Sequence, residues 1–528
     1  MVAVKAGNFS QTFITHHPGV MTMWIAGIRT FFTPSDLDVL NLAHARFFIG
    51  IFVWLGIGAA CLLLYRLFGQ WVALASFACF ASSPLFLAQT RRVHTDALAS
   101  IFILLTLVLL LIYCQNRSDR RFLVCSGVTC GLALLSKSYA LILLICVPLC
   151  LFLFGSAWNS LRWWHRFLMH VRELVPFLNC TLLTVFCLWP VFWMPLFGLM
   201  ALCLFMFTFF FLKEDLENKH RTLIWLVVLG TAQIFVCVRR AVQTVWIVFE
   251  KVNWAVTTPH EVEHFFLGKV VNDPGWLFYP FVLTIKSTPL LFPFAVVGMV
   301  LLWKHRKHSD TDARHFKTGL AIFACVVLFT VCLSATSKKF SRYLLPAFLL
   351  LDVLAAIGIV ETLRWIGAWL NVYRGGQPQG LKILIASVAG VGFFFFQILP
   401  VLSLHPYYGT YYNLCWKVTD ITKIITVGEG SGVDIAANYL NNKPNPESLV
   451  VQVSPLASEF VKNYFHGYAY RADKETGLSP DYEVVYIRDS QIGRVPQTGA
   501  RNGELEAVIT LNGMEHVWIY HLTGKEIP

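Results

Sequence analysis

Residues 91–114 read RRVHTDALASIFILLTLVLLLIYC. The first six positions hold two arginines, a histidine and an aspartate, and residues 97–114 carry no charged side chain. An uncharged apolar run of this length can cross the hydrocarbon core of a bilayer as a helix. The segment therefore predicts a transmembrane helix with ionisable groups gathered at one end.

The rest of the chain repeats this pattern between residues 47 and 401. Of its 528 residues, 56% are hydrophobic and 14% are charged, whereas soluble domains are about 25% charged. This composition excludes an ordinary soluble enzyme and a disordered or fibrous protein, and it predicts a polytopic α-helical membrane protein. The predicted spans are about 47–65, 71–90, 96–114, 122–137, 139–155, 174–190, 191–212, 222–238, 278–303, 317–336, 343–362 and 380–401.

The net charge of +12 is divided unevenly along the chain. Residues 402–528 hold 10 Lys/Arg and 14 Asp/Glu, and the residues before them hold 32 basic and 16 acidic side chains. Because the soluble part is acidic, the basic pI does not indicate a nucleic-acid partner. We predict an outer N-terminal loop region over 1–46, a transmembrane domain over 47–401 with an outer loop at 239–277, and a soluble extracytoplasmic domain over 402–528.

Orientation follows from the loops rich in Lys and Arg, because such loops stay on the cytoplasmic side. With about twelve spans, five basic loops fall together on that side. The N-terminal stretch, the loop at 91–95, the loop at 239–277, the loop at 337–342 and the tail then face outward.

The acidic tail has the pattern of a small α/β domain. Gly428–Gly432 is rich in glycine, but no strand clearly precedes it, so it does not predict a dinucleotide site. The predicted elements of the tail domain are a helix over 434–440 and strands over 448–453, 483–488, 507–511 and 517–521.

Cysteine usage predicts neither a disulfide in the tail nor a cysteine metal site. No CxxC pair occurs among the 14 cysteines, and Cys415 is the tail's only one. We expect no resident metal ligands and no required cofactor, although a divalent metal ion would be compatible with the chemistry considered below.

Ionisable residues gather at four outer loops. The loop at 239–277 holds His260, Glu261, Glu263 and His264, which match the string of a zinc protease without its helical context. The other three loops supply the candidate site residues.

The first loop holds Arg91, Arg92, His94 and Asp96. Arginine on the outer side is contrary to the usual preference of basic residues for the cytoplasmic side. The arginines, with Asp96 beside them, suit an anion site next to a carboxylate. The alternative is that Asp96 caps the following helix and that the arginines anchor lipid headgroups.

The second loop carries Lys338, Lys339 and Arg342 just before Tyr343. Arginine offers a bidentate fork to phosphate and lysine a point charge, so these cations suit phosphate binding. Snorkelling side chains are the alternative. The third loop contains His16 and His17 before Pro18-Gly19, where either an interfacial turn or a substrate contact fits the pattern.

Together these residues suit a substrate that holds an anionic group at the membrane surface. A polyprenyl-phosphate sugar has its tail in the bilayer and its phosphate at the interface. Transfer of the sugar needs a base for the acceptor hydroxyl and positive charge on the leaving phosphate. Arg and Lys can supply that charge without a metal ion.

Several motifs also occur in an order that resembles a known family. They are Thr15-His16-His17-Pro18-Gly19-Val20, Arg92-Val93-His94-Thr95-Asp96-Ala97-Leu98, Leu135-Ser136-Lys137, Asp273-Pro274-Gly275-Trp276, Lys338-Lys339-Phe340-Ser341-Arg342-Tyr343-Leu344-Leu345-Pro346 and His405-Pro406-Tyr407-Tyr408-Gly409-Thr410-Tyr411-Tyr412-Asn413. The chain resembles the bacterial branch of the type C membrane glycosyltransferases, which are relatives of the protein O-mannosyltransferases and of the aminoarabinose transferase of lipid A. The resemblance covers about residues 8–445.

The resemblance implies transfer from a polyprenyl-phosphate sugar, with inversion, outside the cytoplasm of a bacterial inner membrane. The acceptor would be a hydroxyl of a protein, lipid or glycan. The resemblance implies an acidic residue in the family's second outer loop, which would be Asp96. Asp96 is the candidate catalytic residue, and it would bind the acceptor or orient a metal ion in support of an upstream acid. The phosphate-binding cations would be Arg92, Lys338, Lys339 and Arg342, with Arg91 beside them, and His16, His17, His94 and Tyr343 would contact substrate.

The resemblance also implies about thirteen spans and a principal carboxylate ahead of the His-Pro motif. This chain has no Asp or Glu before Asp36, and Asp36 lies after that motif. We expect either that an upstream helix and loop carry the acid or that the protein lacks it. Two alternatives therefore stay open: an inactive relative, and a lipid-linked glycan transporter or flippase that would use the in-span residues Lys286 and Asp352.

Overall fold

A computed structural model of the chain describes its backbone over defined parts of the sequence. The described residues are 7–8, 12, 18–28, 39–154, 163–193, 242, 246, 249–250, 253–254, 257–258, 262–374, 379–413, 420–474, 477–494 and 503–522. They form two compact units: the first draws on residues 1–67 and 93–258, and the second on residues 68–92 and 259–528.

Helices make up most of the described chain before residue 404. In chain order they are α1 (Val20–Ala26), α2 (Val39–Phe68), α3 (Gln70–Ala81), α4 (Pro84–Thr90), α5 (Thr95–Gln115), α6 (Arg120–Ser136), α7 (Leu143–Leu153), α8 (Trp163–Leu188), α9 (Phe278–Lys286), α10 (Leu291–His305), α11 (Asp310–Ser334), α12 (Leu345–Arg374), α13 (Gln379–Phe393) and α14 (Leu399–Ser403). A short hairpin, β1 (His264–Phe266) with antiparallel β2 (Lys269–Val271), precedes α9.

By length and composition, four described helices can cross a membrane, or six if each of two bent pairs counts as one span. The bent pairs are α3 with α4, at 66°, and α9 with α10, at 101°. The chain is an integral membrane protein with a helical core, as the apolar runs predicted. The count of about twelve spans stays a prediction, because the runs at 191–212 and 222–238 lie almost wholly outside the described residues.

In the first unit, α5 is buried along nearly its whole length. Helices α6 and α8 approach closely because Gly127 and Gly131 leave room for the neighbouring backbone. A Cβ at Gly127 would lie 2.6 Å from the carbonyl oxygen of Phe177, and Thr181 Oγ1 donates to the carbonyl of Gly127 at 3.0 Å. Small residues at such contacts are typical of membrane helix packing.

In the membrane part of the second unit, α10 and α12 make a similar close approach. A Cβ added at Gly298 would lie 2.8 Å from the backbone nitrogen of Gly358. Among the described residues of α12, the buried side chains are apolar apart from Asp352. This packing holds the loops at the helix ends in place, and those loops carry the charged motifs.

The tail forms an α/β domain, as predicted. Its elements are α15 (Val433–Asn441), β3 (Val450–Val453), α16 (Ser458–Tyr464), β4 (Tyr468–Arg471), β5 (Tyr482–Tyr486), α17 (Ile487–Gln491), β6 (Gly503–Leu511) and β7 (Met514–Leu522). The strand order is β4-β3-β5-β7-β6, with β3 parallel to both β4 and β5 and the remaining pairs antiparallel.

The predicted helix and four predicted strands of the tail all occur within a few residues of their expected bounds. The strand predicted over 483–488 instead ends at Tyr486, where α17 begins. Sequence reasoning missed β4 and α16. The strand β4 contains Tyr468 and Tyr470, which have strand propensity. It is only four residues long, and alternation is hard to detect at that length.

Candidate functional site

Asp96 lies in the first turn of α5, in the first unit, and its side chain is 0% exposed. Its carboxylate lies between three side chains. His94 Nδ1 is 2.7 Å from Oδ2, Lys137 Nζ is 3.4 Å from Oδ1, and the Tyr139 hydroxyl donates to Oδ1 at 3.2 Å. We call these four residues the Asp96 cluster.

The end of α6 positions the lysine and the tyrosine of this cluster. The helix ends at Ser136, Lys137 has extended backbone, and a 3₁₀ turn over Ser138–Ile142 follows. Because the chain changes direction there, Lys137 and Tyr139 both reach Asp96. The Lys137 side chain is 3% exposed, so burial is tolerated only because a carboxylate neutralises it.

The described end of the N-terminal motif packs against the same part of α6. Gly19 N donates to the carbonyl of Ser136 at 3.3 Å, and Gly19 has a positive φ of 59° that favours glycine. Val20 lies in an apolar cluster with Leu135 and Trp189. His16 and His17 fall outside the described residues, so their substrate role stays a prediction.

The second unit contains a separate charged group around Glu429. Arg92 Nη1 is 2.6 Å from Glu429 Oε2, and Arg92 Nη2 donates to the carbonyl of Glu429, also at 2.6 Å. Arg342 Nη1 is 4.0 Å from Oε1. Gln89 and Ser341 donate to the carboxylate at 3.5 and 3.4 Å. We call these five residues the Glu429 cluster.

Burial alone would raise the pKa of Glu429, but Arg92, Arg342 and Lys286 outweigh it and lower that pKa to about 2. The Glu429 side chain is 26% exposed. At neutral pH it is therefore a carboxylate that stays ionised. A group this acidic is a poor general base, because proton transfer is most efficient when the pKa is near the operating pH.

A glycine-rich turn presents Glu429. Gly428, Gly430 and Gly432 all have positive φ, at 87°, 85° and 87°. A Cβ at Gly428 would collide with the Tyr486 hydroxyl, and the same hydroxyl accepts the N–H of Gly430 at 2.6 Å. The turn is therefore held against strand β5, which directs its one acidic side chain at the cations.

A cavity of about 50 Å³ adjoins Glu429 and is lined by Lys286, Lys339 and Arg488. Lys286 donates to the carbonyls of Gly409 and Tyr411 at 2.9 and 2.8 Å. Both of these partners are neutral carbonyl oxygens, so neither contact neutralises the charge of Lys286.

Lys339 and Arg488 differ in how their charge is matched. Lys339 Nζ lies 2.6 Å from the carboxylate of Asp273. Arg488 Nε is buried and has no hydrogen-bond partner among the described residues, although the guanidinium lies 5.7 Å from the ring of Phe340. A buried arginine with an unmatched nitrogen beside a cavity is a site for an anion.

His264 also lines the cavity, at the start of β1. Burial, assisted by Arg488, lowers the pKa of His264 to about 4. The imidazole is therefore neutral at physiological pH and adds no charge to the cavity.

The structure brings some of the predicted residues together and separates others. Arg92, Lys339 and Arg342 all belong to the Glu429 cluster or its cavity. Arg91 instead donates to the carbonyl of Pro406 at 3.1 Å. Lys338, which precedes Lys339 in the second loop, is buried.

The remaining predicted residues divide between the two units. Tyr343 lies beneath the guanidinium of Arg342, 5.6 Å from ring centre to cation. His94 and Asp96 belong to the first unit.

The predicted site lacked Lys137 and Tyr139 of the Asp96 cluster, Gln89, Ser341 and Glu429 of the Glu429 cluster, and Lys286 and Arg488 of the adjoining cavity. Two had a usable signal in the sequence. Lys286 is a lone cation in an apolar run, and Glu429 is a lone acid among glycines. Lys137 was noted only within a motif, and nothing marks Arg488 in its own segment.

In the parts of the chain that the structure describes, no group of three or more His, Cys, Asp or Glu side chains is placed to hold a metal ion.

The fold and the two clusters define an integral membrane protein with charged groups at its helix ends and an α/β domain in its tail. Residues 16–189 match the family model of dolichyl-phosphate-mannose-protein mannosyltransferases. Over those residues the match confirms the resemblance that the motifs indicated. It includes His94, Asp96 and Lys137, and it ends before Lys286, Lys339 and Glu429.

Solved structures with a similar chain path include ArnT from Cupriavidus metallidurans bound to undecaprenyl phosphate. The identity is 13% and the TM-score 0.42, and the match covers 94% of this chain and 87% of ArnT. The archaeal oligosaccharyltransferase AglB from Archaeoglobus fulgidus is 14% identical with a TM-score of 0.39, over 90% of this chain and 63% of that one. No curated protein sequence matches this chain.

Proposed function

We propose that the protein is a glycosyltransferase that moves a sugar from a polyprenyl-phosphate donor to an acceptor hydroxyl outside the cytoplasm, with inversion at the anomeric carbon. The family match over residues 16–189 supports the reaction class. The residues of the second unit support the chemistry of the donor, as follows.

The observation that carries the proposal is the excess of positive charge around the Glu429 cavity. Among the described residues, four cations lie around the carboxylates of Glu429 and Asp273: Arg92, Lys339, Arg342 and Arg488. An excess of cations that are partly or fully withdrawn from water is costly without an anion. A phosphate supplies that anion, and Arg488 has a donor nitrogen to offer it.

An apolar groove in the same unit suits the donor's tail. It has a volume of about 500 Å³ and runs along α9, α10, α11 and α12. Leu283 of α9 lines it, and Lys286, one helical turn further, lines the charged cavity. A lipid with a phosphate head and an isoprenoid tail fits a charged cavity that lies next to an apolar groove.

In the proposed reaction the acceptor oxygen attacks the anomeric carbon, and the bond from that carbon to the phosphate oxygen breaks. The bonding electrons leave with the phosphate, where the cations stabilise the developing charge. The acceptor proton passes to a base that the described residues do not identify, since Glu429 is too acidic. A divalent metal ion is not needed for the leaving group.

Asp96 is fully buried, so we propose that it acts as a positioning residue. It holds His94, whose side chain is 34% exposed, and Lys137. His94 would then contact the acceptor or the donor sugar, while the carboxylate fixes its ring.

The test is a transfer assay with the full chain in lipid nanodiscs and a panel of radiolabelled polyprenyl-phosphate sugars, both hexose and pentose. We expect sugar transfer to an added hydroxyl acceptor, and a fall of at least tenfold in kcat/KM for Arg488→Ala. The matched control is Arg494→Ala, because Arg494 forms only an exposed ion pair with Glu263. Equal activity of both variants would contradict the assigned phosphate site.

The alternative transporter reading has one observation in its favour: Asp352 is buried within α12, and its Oδ2 has no hydrogen-bond partner among the described residues. A transporter would move labelled lipid across a proteoliposome bilayer without transferring sugar. Loss of that movement in Asp352→Asn, with Arg488→Ala silent, would favour transport over transfer.

A further inference from the structure

Glu429 occupies the position at which the cations of the second unit can best hold an anion. Its carboxylate accepts from Arg92, Gln89 and Ser341 and lies 4.0 Å from Arg342. Two guanidinium groups, an amide and a hydroxyl converge there on two oxygens. This is the donor set that a phosphate group binds through its own oxygens.

The carboxylate comes from a turn of the tail rather than from the membrane helices. Glu429 belongs to the turn Gly428–Gly432 of the tail domain, and three of the five residues in that turn are glycines with positive φ. The Arg92 guanidinium also bonds the carbonyl of Glu429, at 2.6 Å. The side chain can therefore rotate away while the backbone tie to Arg92 remains.

A phosphate and the Glu429 carboxylate are both negatively charged, so it is unfavourable for both to occupy the site at once. A phosphate in the adjoining cavity would be within a few ångströms of a carboxylate that stays ionised at neutral pH. Two anions this close repel each other, because the protein around them screens charge less than bulk water does. Displacement of the carboxylate removes this repulsion and frees Arg92 and Arg342 for the ligand.

We propose that Glu429 is a resident anion of the donor site, which the headgroup phosphate displaces when the lipid binds. This inference rests on the proposed function, because it takes the Glu429 cavity as the phosphate site. The inference gives the tail domain a direct part in donor recognition. Glu429 competes with the phosphate for the cations, and Arg488 binds the phosphate.

The first experiment measures the affinity of a short-chain polyprenyl phosphate for the full chain in nanodiscs. We expect Glu429→Gln to bind this lipid about tenfold more tightly than the unmodified protein, because the competing charge is gone while an acceptor for Arg92 remains. The control is Glu447→Gln, since Glu447 is exposed in the same domain. Weaker or equal binding by Glu429→Gln would overturn the inference.

The second experiment needs no substitution. Hydrogen–deuterium exchange of the peptide that contains Gly428–Gly432 should become faster when polyprenyl phosphate is added. Without the Glu429 side-chain contacts the turn is held less firmly, so the Gly430 N–H separates more often from the Tyr486 hydroxyl. Slower exchange would mean that the ligand tightens the turn, and it would overturn displacement.

The two ideas can fail separately. If Arg342→Ala and Arg488→Ala bind polyprenyl phosphate as tightly as the unmodified protein does, the proposed phosphate site is wrong. If both variants bind weakly but Glu429→Gln does not bind more tightly, the phosphate site stands and the displacement of Glu429 is wrong.

Discussion

The two charged clusters use a buried carboxylate in opposite ways. In the Asp96 cluster the carboxylate is fully enclosed and its partners Lys137, His94 and Tyr139 match it closely. In the Glu429 cluster the carboxylate is a quarter exposed and cations outnumber it beside a cavity. A closed cluster of this kind holds a structure in place, whereas an open cluster with excess charge is suited to bind a ligand.

The largest effect is expected where the closed cluster is broken. Asp96→Asn leaves Lys137 buried without a carboxylate, which should lower the free energy of unfolding by about 3–5 kcal/mol. Sugar transfer should also be lost, because His94 loses its support. Thermal unfolding in detergent and a transfer assay measure the two effects.

A second variant separates charge from shape in this cluster. The double variant Asp96→Asn with Lys137→Met removes both charges and should recover most of the lost stability but not the activity. Recovery of activity as well would mean that neither group has a part in transfer.

The next effect concerns the open cluster. Arg342→Ala should lower kcat/KM about 100-fold, since it removes one of the groups that stabilise the leaving phosphate. Its effect on the unfolding midpoint should be small beside that of Asp96→Asn. The exposed Lys423→Ala is the control, and a similar loss of activity there would point to a general effect of charge.

A smaller effect is expected from the turn that carries Glu429. Gly428→Ala places a Cβ against the Tyr486 hydroxyl at a φ of +87°, which should cost about 1–3 kcal/mol of stability. Gly493→Ala is the matched control: it also has positive φ, at +73°, but open space around it. Equal destabilisation would show that φ strain alone, and not contact with Tyr486, matters.

The smallest effect is on the pH dependence of stability. The pKa of Glu429 is lowered from 4.5 to about 2, so its contribution is present above pH 4.5 and is lost as the pH falls toward 2. The unfolding midpoint of the unmodified protein should fall more steeply over that interval than that of Glu429→Gln. Parallel curves would contradict the pairing with Arg92.

Much of the fold could be predicted because the membrane imposes a length on apolar helices and the tail lacks such runs. Asp96, at the start of a helix, and the cations of the second loop could be picked out because ionisable groups are conspicuous beside apolar runs. The resemblance in the motifs was confirmed over residues 16–189.

Several partners inside the clusters could not be predicted, since they come from distant parts of the chain. Glu429 lies 337 residues from Arg92, and Arg488 sits in a helix that follows a buried strand of the tail. Arg91 and Arg92 look equivalent in sequence, yet one bonds a backbone carbonyl and the other a carboxylate. Only the three-dimensional path of the chain separates them.

The most direct test of the phosphate site is an electron cryo-microscopy map of the full chain in nanodiscs with polyprenyl phosphate added. We expect phosphate density in contact with Arg342 and Arg488, with the Glu429 side chain moved away from Arg342. Phosphate density beside Lys137 and Asp96, with the Glu429 cluster unchanged, would contradict the assignment of the donor site to the second unit.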